Sequence, residues 1–126
     1  MHIEIPISVG ELVDRITILR LKKEKLDERE KIANVELELA HLEEILEREV
    51  GDLKGIESLV AQLHDVNAHL WEIEDELRDL EAVQNFGIRF IEMARQVYQL
   101  NDERYRLKRA ISDHYGSMFV EEKSYS

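Results

Sequence analysis

The sequence predicts an all-α fold, and two observations carry that prediction. Only one Pro and five Gly interrupt the 126 residues, too few for the frequent turns of an all-β domain. Apolar residues recur at spacings of three and four along most of the chain, which is the period of helices that bury one face. Zero Cys removes disulfides and thiolate-bound metals as sources of stability. We therefore expect residues 1–126 to form one helical domain.

The first helix is predicted over about residues 9–50, and Ser8 is its expected N-cap. The Ser8 hydroxyl can accept the Glu11 N–H while the Glu11 carboxylate reaches back, as in a capping box. The apolar positions on the two sides of residues 27–31 do not share one heptad frame. A bend or a locally unwound turn is expected there, and a full break into two helices is the alternative.

Two further helices are predicted at about residues 56–84 and 88–115, after turns at residues 51–55 and 84–87. The first of them carries the most regular apolar pattern of the chain, typical of a coiled-coil seam. Its seam residues are Ile56, Leu59, Leu63, Val66, Leu70, Ile73, Leu77 and Leu80. Short extended ends remain, where Ile3 and Ile5 could pair as a strand with Met118 and Val120. The sequence predicts an antiparallel three-helix, coiled-coil-like bundle with a long first helix, or four helices if that helix breaks near residues 27–31.

The unequal helix lengths predict a homodimer. At 1.5 Å per residue the three helices are about 60, 44 and 42 Å long, so the first overhangs the other two at its start. The turn at residues 51–55 would set Leu63, Leu70 and Leu77 against Leu46, Leu39 and Ile32. The overhang would then expose residues 12–21, the most apolar ten residues of the chain. An apolar patch of that size is too large to remain in water. Either the bend near Asp27 folds this overhang back onto the chain, or a second copy covers it. We expect the second copy, at Leu12, Ile16 and Leu19.

Composition limits the cellular location that we expect and the molecules that the chain can bind. The chain carries 28 acidic and 17 basic residues, and its net charge of −11 disfavours binding to the phosphate backbone of nucleic acids. Neither a signal peptide nor an apolar run of membrane-spanning length is recognisable, so a cytoplasmic protein is expected. No cofactor is expected. The pairs His41 with Glu44 and His69 with Glu72 are a weaker metal-site alternative, because plain leucines lie at the seam positions between them. Acidic clusters are a weaker alternative too, because a chain so rich in Glu produces such spacings by chance.

A basic cluster is the strongest candidate for a site. Residues 89–109 carry six basic and three acidic side chains, with tyrosines between them. Together with the first helix, this region supplies a candidate site for an anion or a partner: Arg15, Arg95, Arg104 and Lys108. The alternative is charge matching with the acidic flank of residues 72–81. Arg104 lies on the apolar seam of the last helix, so its guanidinium must either extend outward to solvent or meet a carboxylate. The candidate carboxylates are Asp65, Glu72, Glu36 and Glu38.

Four segments carry a resemblance to known proteins: EIPISVGELVDRITILRLK, LWEIEDELRDLE, FIEMARQVYQLNDERYRLKRAI and VEEKSY. They resemble a small bacterial family of unknown function, to which chains from phages of marine cyanobacteria are also similar. The resemblance covers nearly the whole chain except residues 27–60. It implies no catalytic residue, and it implies a link to the synthesis of cell-surface polysaccharides. From the residues we expect a non-enzymatic interaction or assembly module. The alternative is a small helical enzyme or binding protein for an anionic metabolite.

Overall fold

Four α-helices make up the computed structural model, which describes residues 1–116 of the chain. They are α1 (Val9–Lys25), α2 (Arg29–Glu49), α3 (Glu57–Ala82) and α4 (Ile88–Tyr115). The predicted all-α fold is confirmed, in the four-helix form that the sequence left open. The described part of the chain contains no strand, and the suggested pairing with Met118 and Val120 falls outside it.

The beginning and the end of α1 explain why the predicted long helix is two helices. Ser8 Oγ accepts the Glu11 N–H at 3.1 Å, as expected for the N-cap. The Glu11 carboxylate accepts from Arg15 and pairs with Lys108. Leu26 is extended, with φ −79° and ψ 143°, and ends α1. The break allows the apolar positions of α1 and α2, which do not share a frame, to face the core separately.

Glycines shape the link between α2 and α3. Gly51 has a φ of 86° and Gly55 a φ of 94°, a region that side chains disfavour. The Leu46 carbonyl accepts the N–H groups of both Val50 and Gly51, at 2.9 and 3.1 Å, and so closes the end of α2.

The helix that all the others contact is α1. Helices α3 and α4 form an antiparallel hairpin, α1 packs against both of them, and α2 packs against α1. In the described chain no Cα of α2 lies within 8 Å of a Cα of α3 or α4. The predicted side-by-side pairing of residues 32–46 with 63–77 is therefore wrong. The break after α1 folds α2 back along α1, and α1 takes the place beside α3 that the prediction gave to α2.

The core lies where α1 meets the hairpin and α2. Its buried members are Leu12, Val13, Ile16, Leu19, Leu39, Leu46, Ile56, Leu63, Leu107 and Ile111. Leu12, Ile16 and Leu19 are 6%, 2% and 5% exposed in the single chain. The dimer prediction assumed that these three residues lack a cover within the chain, and that assumption is wrong because the shorter α1 has no overhang.

None of the helices in residues 1–116 combines the length and the apolar character needed to cross a membrane.

Candidate functional site

A buried carboxylate joins three of the four helices. Asp14 of α1 is 1% exposed and lies within the most apolar ten residues of the chain. Its Oδ1 accepts from Arg104 Nε at 3.0 Å and from Asn67 Nδ2 at 3.0 Å, and its Oδ2 accepts from Arg104 Nη2 at 2.6 Å. The guanidinium therefore binds both carboxylate oxygens, the geometry in which an arginine–carboxylate pair is strongest.

A second ion pair lies one helical turn away. Lys108 Nζ is 2.6 Å from Glu11 Oε2 and 3.8 Å from Asp14 Oδ2. Glu11 also accepts from Arg15 Nε at 3.0 Å, at the surface of α1. Lys108 itself is buried, and its ammonium lies 5.2 Å from the centre of the Tyr105 ring. We call Glu11, Asp14, Asn67, Arg104 and Lys108 the charge cluster.

The close approach of α1 to α4 places the charge cluster. Gly10 donates its N–H to Ser112 Oγ at 2.9 Å, and a Cβ at position 10 would lie 2.0 Å from the Lys108 carbonyl oxygen. Only a residue without a side chain allows the two backbones to come so near. Because α1 is held this close to α4, the side chains of Glu11 and Asp14 reach α4 directly.

The charge cluster is balanced within the chain. The half-buried Arg104 and the buried Lys108 face the two carboxylates Asp14 and Glu11. No buried side-chain nitrogen or oxygen atom in the described residues lacks a hydrogen-bond partner. An incoming anion would have to displace Asp14, which is almost without contact with solvent. The arrangement fixes the position of α1 on the hairpin, the use for which buried ion pairs are best attested.

The four basic candidates from the sequence do not form one site. Arg15, Arg104 and Lys108 lie around Glu11 and Asp14. Arg95 is nine residues before Arg104 on α4, about 13 Å along the helix, and it is exposed. The expectation that Arg104 meets a carboxylate is confirmed, but its partner is Asp14. The candidates Asp65, Glu72, Glu36 and Glu38 were chosen from a helix order in which α1 did not lie beside α4.

Sequence reasoning missed Asp14 and Asn67. The available signal was a lone acid among Leu12, Val13 and Ile16, and a lone amide between Val66 and Leu70. A polar side chain inside an apolar run predicts a buried partner of complementary chemistry, because burying it alone is costly. The sequence placed one such residue on each of α1, α3 and α4.

The α3–α4 hairpin carries a shallow groove of about 310 Å³ in the half nearer the turn between the two helices. It is lined by His69, Glu72, Ile73, Glu76, Arg89, Met93 and Gln96. Glu76 accepts two hydrogen bonds from Arg89, at 3.1 and 2.9 Å, which matches the charge pairing between α3 and α4 that the sequence suggested. Within residues 1–116 no three His, Asp or Glu side chains are placed to hold one metal ion, so the His41–Glu44 and His69–Glu72 pairs do not combine.

One face of α4 is apolar and uncovered. Ile88, Ile91 and Tyr98 are 76%, 53% and 48% exposed. With Arg95 they follow the spacing three, four, three, so all four share one side of the helix. That side lies opposite the seam that carries Phe90, Met93 and Val97. We call these four residues the outer face of α4.

Three groups in the C-terminal half of α4, Glu103, Arg106 and Tyr115, have shifted pKa values. A hydrogen bond from Arg106 lowers the pKa of Glu103, and the same contact raises the pKa of Arg106. Burial of Tyr115 raises the pKa of its phenol, and the charges of Asp52 and Glu57 raise it further. None of these groups lies on the outer face of α4.

Residues 1–126 match the model of a family of unknown function, DUF6165, and the chain belongs to that family. No curated protein matches the chain. No solved structure matches it either.

Proposed function

We propose that the protein is a non-enzymatic interaction module that binds a protein partner through the outer face of α4. The observation that carries the proposal is the exposure of Ile88, Ile91 and Tyr98 on one side of a single helix. Isolated exposed hydrophobic residues are common, whereas a row of them at helical spacing is typical of a helix that docks against another. Val83 and Phe86, in the turn before α4, are exposed as well and extend the row.

The charge cluster favours a structural role, because it holds α1, α3 and α4 together. Each helix of the hairpin supplies a member of the charge cluster, and Asp14 of α1 ties them together. A rigid hairpin presents the outer face of α4 in a fixed conformation, so little entropy is lost when a partner binds.

The anion-binding alternative assigns Arg15, Arg95, Arg104 and Lys108 to one metabolite. The ion pairs of Arg104 with Asp14 and of Lys108 with Glu11 weigh against it, because each would have to break before an anion could bind. The separation of Arg95 from the other three basic residues weighs against it too.

The proposal is tested by changing the outer face without touching the core. Tagged Ile91→Lys protein should lose a partner that the wild-type protein retains from extracts of its native host. Leu37→Lys is the matched control, because Leu37 is 75% exposed on α2, away from α4. We also propose a link to cell-surface polysaccharide synthesis, and enzymes of that process are therefore the first proteins to seek among those retained.

The outcome is decided by comparing the three proteins. A partner that wild type and Leu37→Lys retain, and Ile91→Lys loses, supports the proposal. If all three retain the same proteins, the outer face of α4 is not the binding surface and the proposal is wrong.

A further inference from the structure

We infer that the outer face of α4 binds a second copy of this chain, with the two α4 helices antiparallel about a two-fold axis level with Met93. The inference rests on the proposed function and deepens it by naming the partner. Its basis is the self-complementarity of the residues on this face, which a two-fold axis requires because both copies present the same surface.

The apolar residues complement one another across that axis. Antiparallel helices related by an axis at position 93 bring Ile88 opposite the partner's Tyr98 and Ile91 opposite the partner's Arg95. Ile88 and Tyr98 are the two ends of the outer face of α4, so each covers the other in both halves of the interface. The aliphatic part of an arginine side chain packs well on isoleucine while its guanidinium reaches outward.

The charges complement one another as well. Glu92 and Arg95 are exposed, and within residues 1–116 neither makes an ion pair. The same axis places the Arg95 guanidinium beside the partner's Glu92, one residue along from the partner's Ile91. The symmetric interface then contains two such pairs with a total charge of zero. Flanking pairs of opposite charge are what selects partner and orientation in coiled coils.

This dimer differs from the one that the sequence predicted. Leu12, Ile16 and Leu19 are buried in the core of one chain, whereas the outer face of α4 is available without any change in the fold. Exposed apolar side chains, the reason for expecting a second copy, are therefore present, but they lie on α4 and not on α1.

The charges provide the decisive experiment. Wild-type protein at tens of micromolar is expected to sediment as a dimer. Arg95→Glu replaces both ion pairs by pairs of like charge and should weaken association about tenfold or more. The double variant Glu92→Arg/Arg95→Glu exchanges the two charges and should recover association to within about threefold of wild type. Circular dichroism of all three proteins should show the same helix content, because both side chains lie at the surface.

A cross-link tests the register. The chain has no Cys, so Ile88→Cys/Tyr98→Cys introduces the only thiols. Ten residues of helix, about 15 Å, separate the two positions within one chain, so a disulfide between them must join two chains. Mild oxidation should convert the double variant to a covalent dimer, whereas each single variant should remain largely uncross-linked.

The outcomes separate this inference from the proposed function. A wild-type protein that is monomeric at about 100 µM overturns the dimer, and the proposed function stands if Ile91→Lys still loses a different partner. A dimer that Arg95→Glu leaves unchanged, or that the charge exchange fails to restore, also overturns the inference, because another surface or another pairing then holds it. If Arg95 instead paired with an acidic helix of a different protein, the double variant Glu92→Arg/Arg95→Glu would not restore association, because that partner would keep its acidic residues.

Discussion

Replacing Arg104 is predicted to cost more stability than neutralising its partner, although both changes break the same ion pair. The side chain of Arg104 is 28% exposed and that of Asp14 is 1% exposed. Arg104→Leu leaves a carboxylate that cannot reach water, with the Asn67 amide at 3.0 Å and Lys108 Nζ at 3.8 Å as its remaining partners. Stranding one member of a buried pair typically costs about 3–5 kcal/mol.

Asp14→Asn has a milder effect for a physical reason. The amide oxygen can still accept from Asn67 and Arg104, and the guanidinium is exposed enough to remain partly hydrated. The loss is then that of charge-assisted hydrogen bonds, about 1.5–3 kcal/mol. When position 14 is already Asn, Arg104→Leu no longer leaves a buried charge without its partner. The unfolding free energy lost through Arg104→Leu should then be smaller by about 1–3 kcal/mol.

Urea unfolding followed by circular dichroism measures all four proteins of this cycle. The dependence of the unfolding free energy on urea should stay the same, since the surface exposed on unfolding hardly changes. If Arg104→Leu costs no more than Asp14→Asn, or if the two changes are additive, Asp14 is not held as a buried anion and the reasoning is refuted.

Two further predictions concern α1 and the end of α4. Gly10→Ala should destabilise the protein by about 1–3 kcal/mol, because its Cβ would meet the Lys108 carbonyl oxygen at 2.0 Å and force α1 away from α4. Ser112→Ala, which removes only the hydrogen bond to Gly10, should cost about 0.5–1.5 kcal/mol in the same unfolding assay, and a larger loss than for Gly10→Ala would contradict the close-packing argument. The raised pKa of Tyr115 means that the folded state holds the phenol proton more tightly than the unfolded chain does. The contribution of this proton to stability is complete below about pH 10 and is lost as the pH rises through the folded pKa. Alkaline unfolding curves of wild type and Tyr115→Phe should therefore diverge above about pH 10, and parallel curves would show that the phenol is not perturbed.

The sequence predicts the helices of this fold well and their arrangement poorly. Apolar spacing, Ser8 and the glycines mark where helices begin and end, since these are local effects of hydrogen bonding and backbone conformation. The order in which helices pack depends on the break after Lys25, and residue types left that break open. Once α1 is short it fits beside the hairpin, and both the α2–α3 pairing and the apolar overhang disappear.

The candidate site was predictable to the extent that chemistry alone decides it. A lone arginine on an apolar seam either reaches solvent or pairs with a carboxylate, and Arg104 pairs with one. Which carboxylate it finds depends on which helices are neighbours, so Asp14 could not be selected before the arrangement was known. Lys108 and Arg15 lie nearby because α1 and α4 are antiparallel neighbours, whereas Arg95 lies too far along α4 to join them.

The two features of α4 can be separated by mutation because they lie on different sides of one helix. Arg104 and Lys108 face α1 and contribute to folding, while Ile91 and Arg95 face away from the core and contribute nothing to it. Asp14→Asn should therefore lower the unfolding free energy and leave self-association unchanged at temperatures well below unfolding. Arg95→Glu should do the reverse, weakening association while the unfolding free energy, measured at concentrations where the protein is monomeric, changes by less than about 0.5 kcal/mol. If Asp14→Asn abolished association in a fully folded protein, the charge cluster would itself belong to the interface, and the division of α4 into a folding face and a binding face would be wrong.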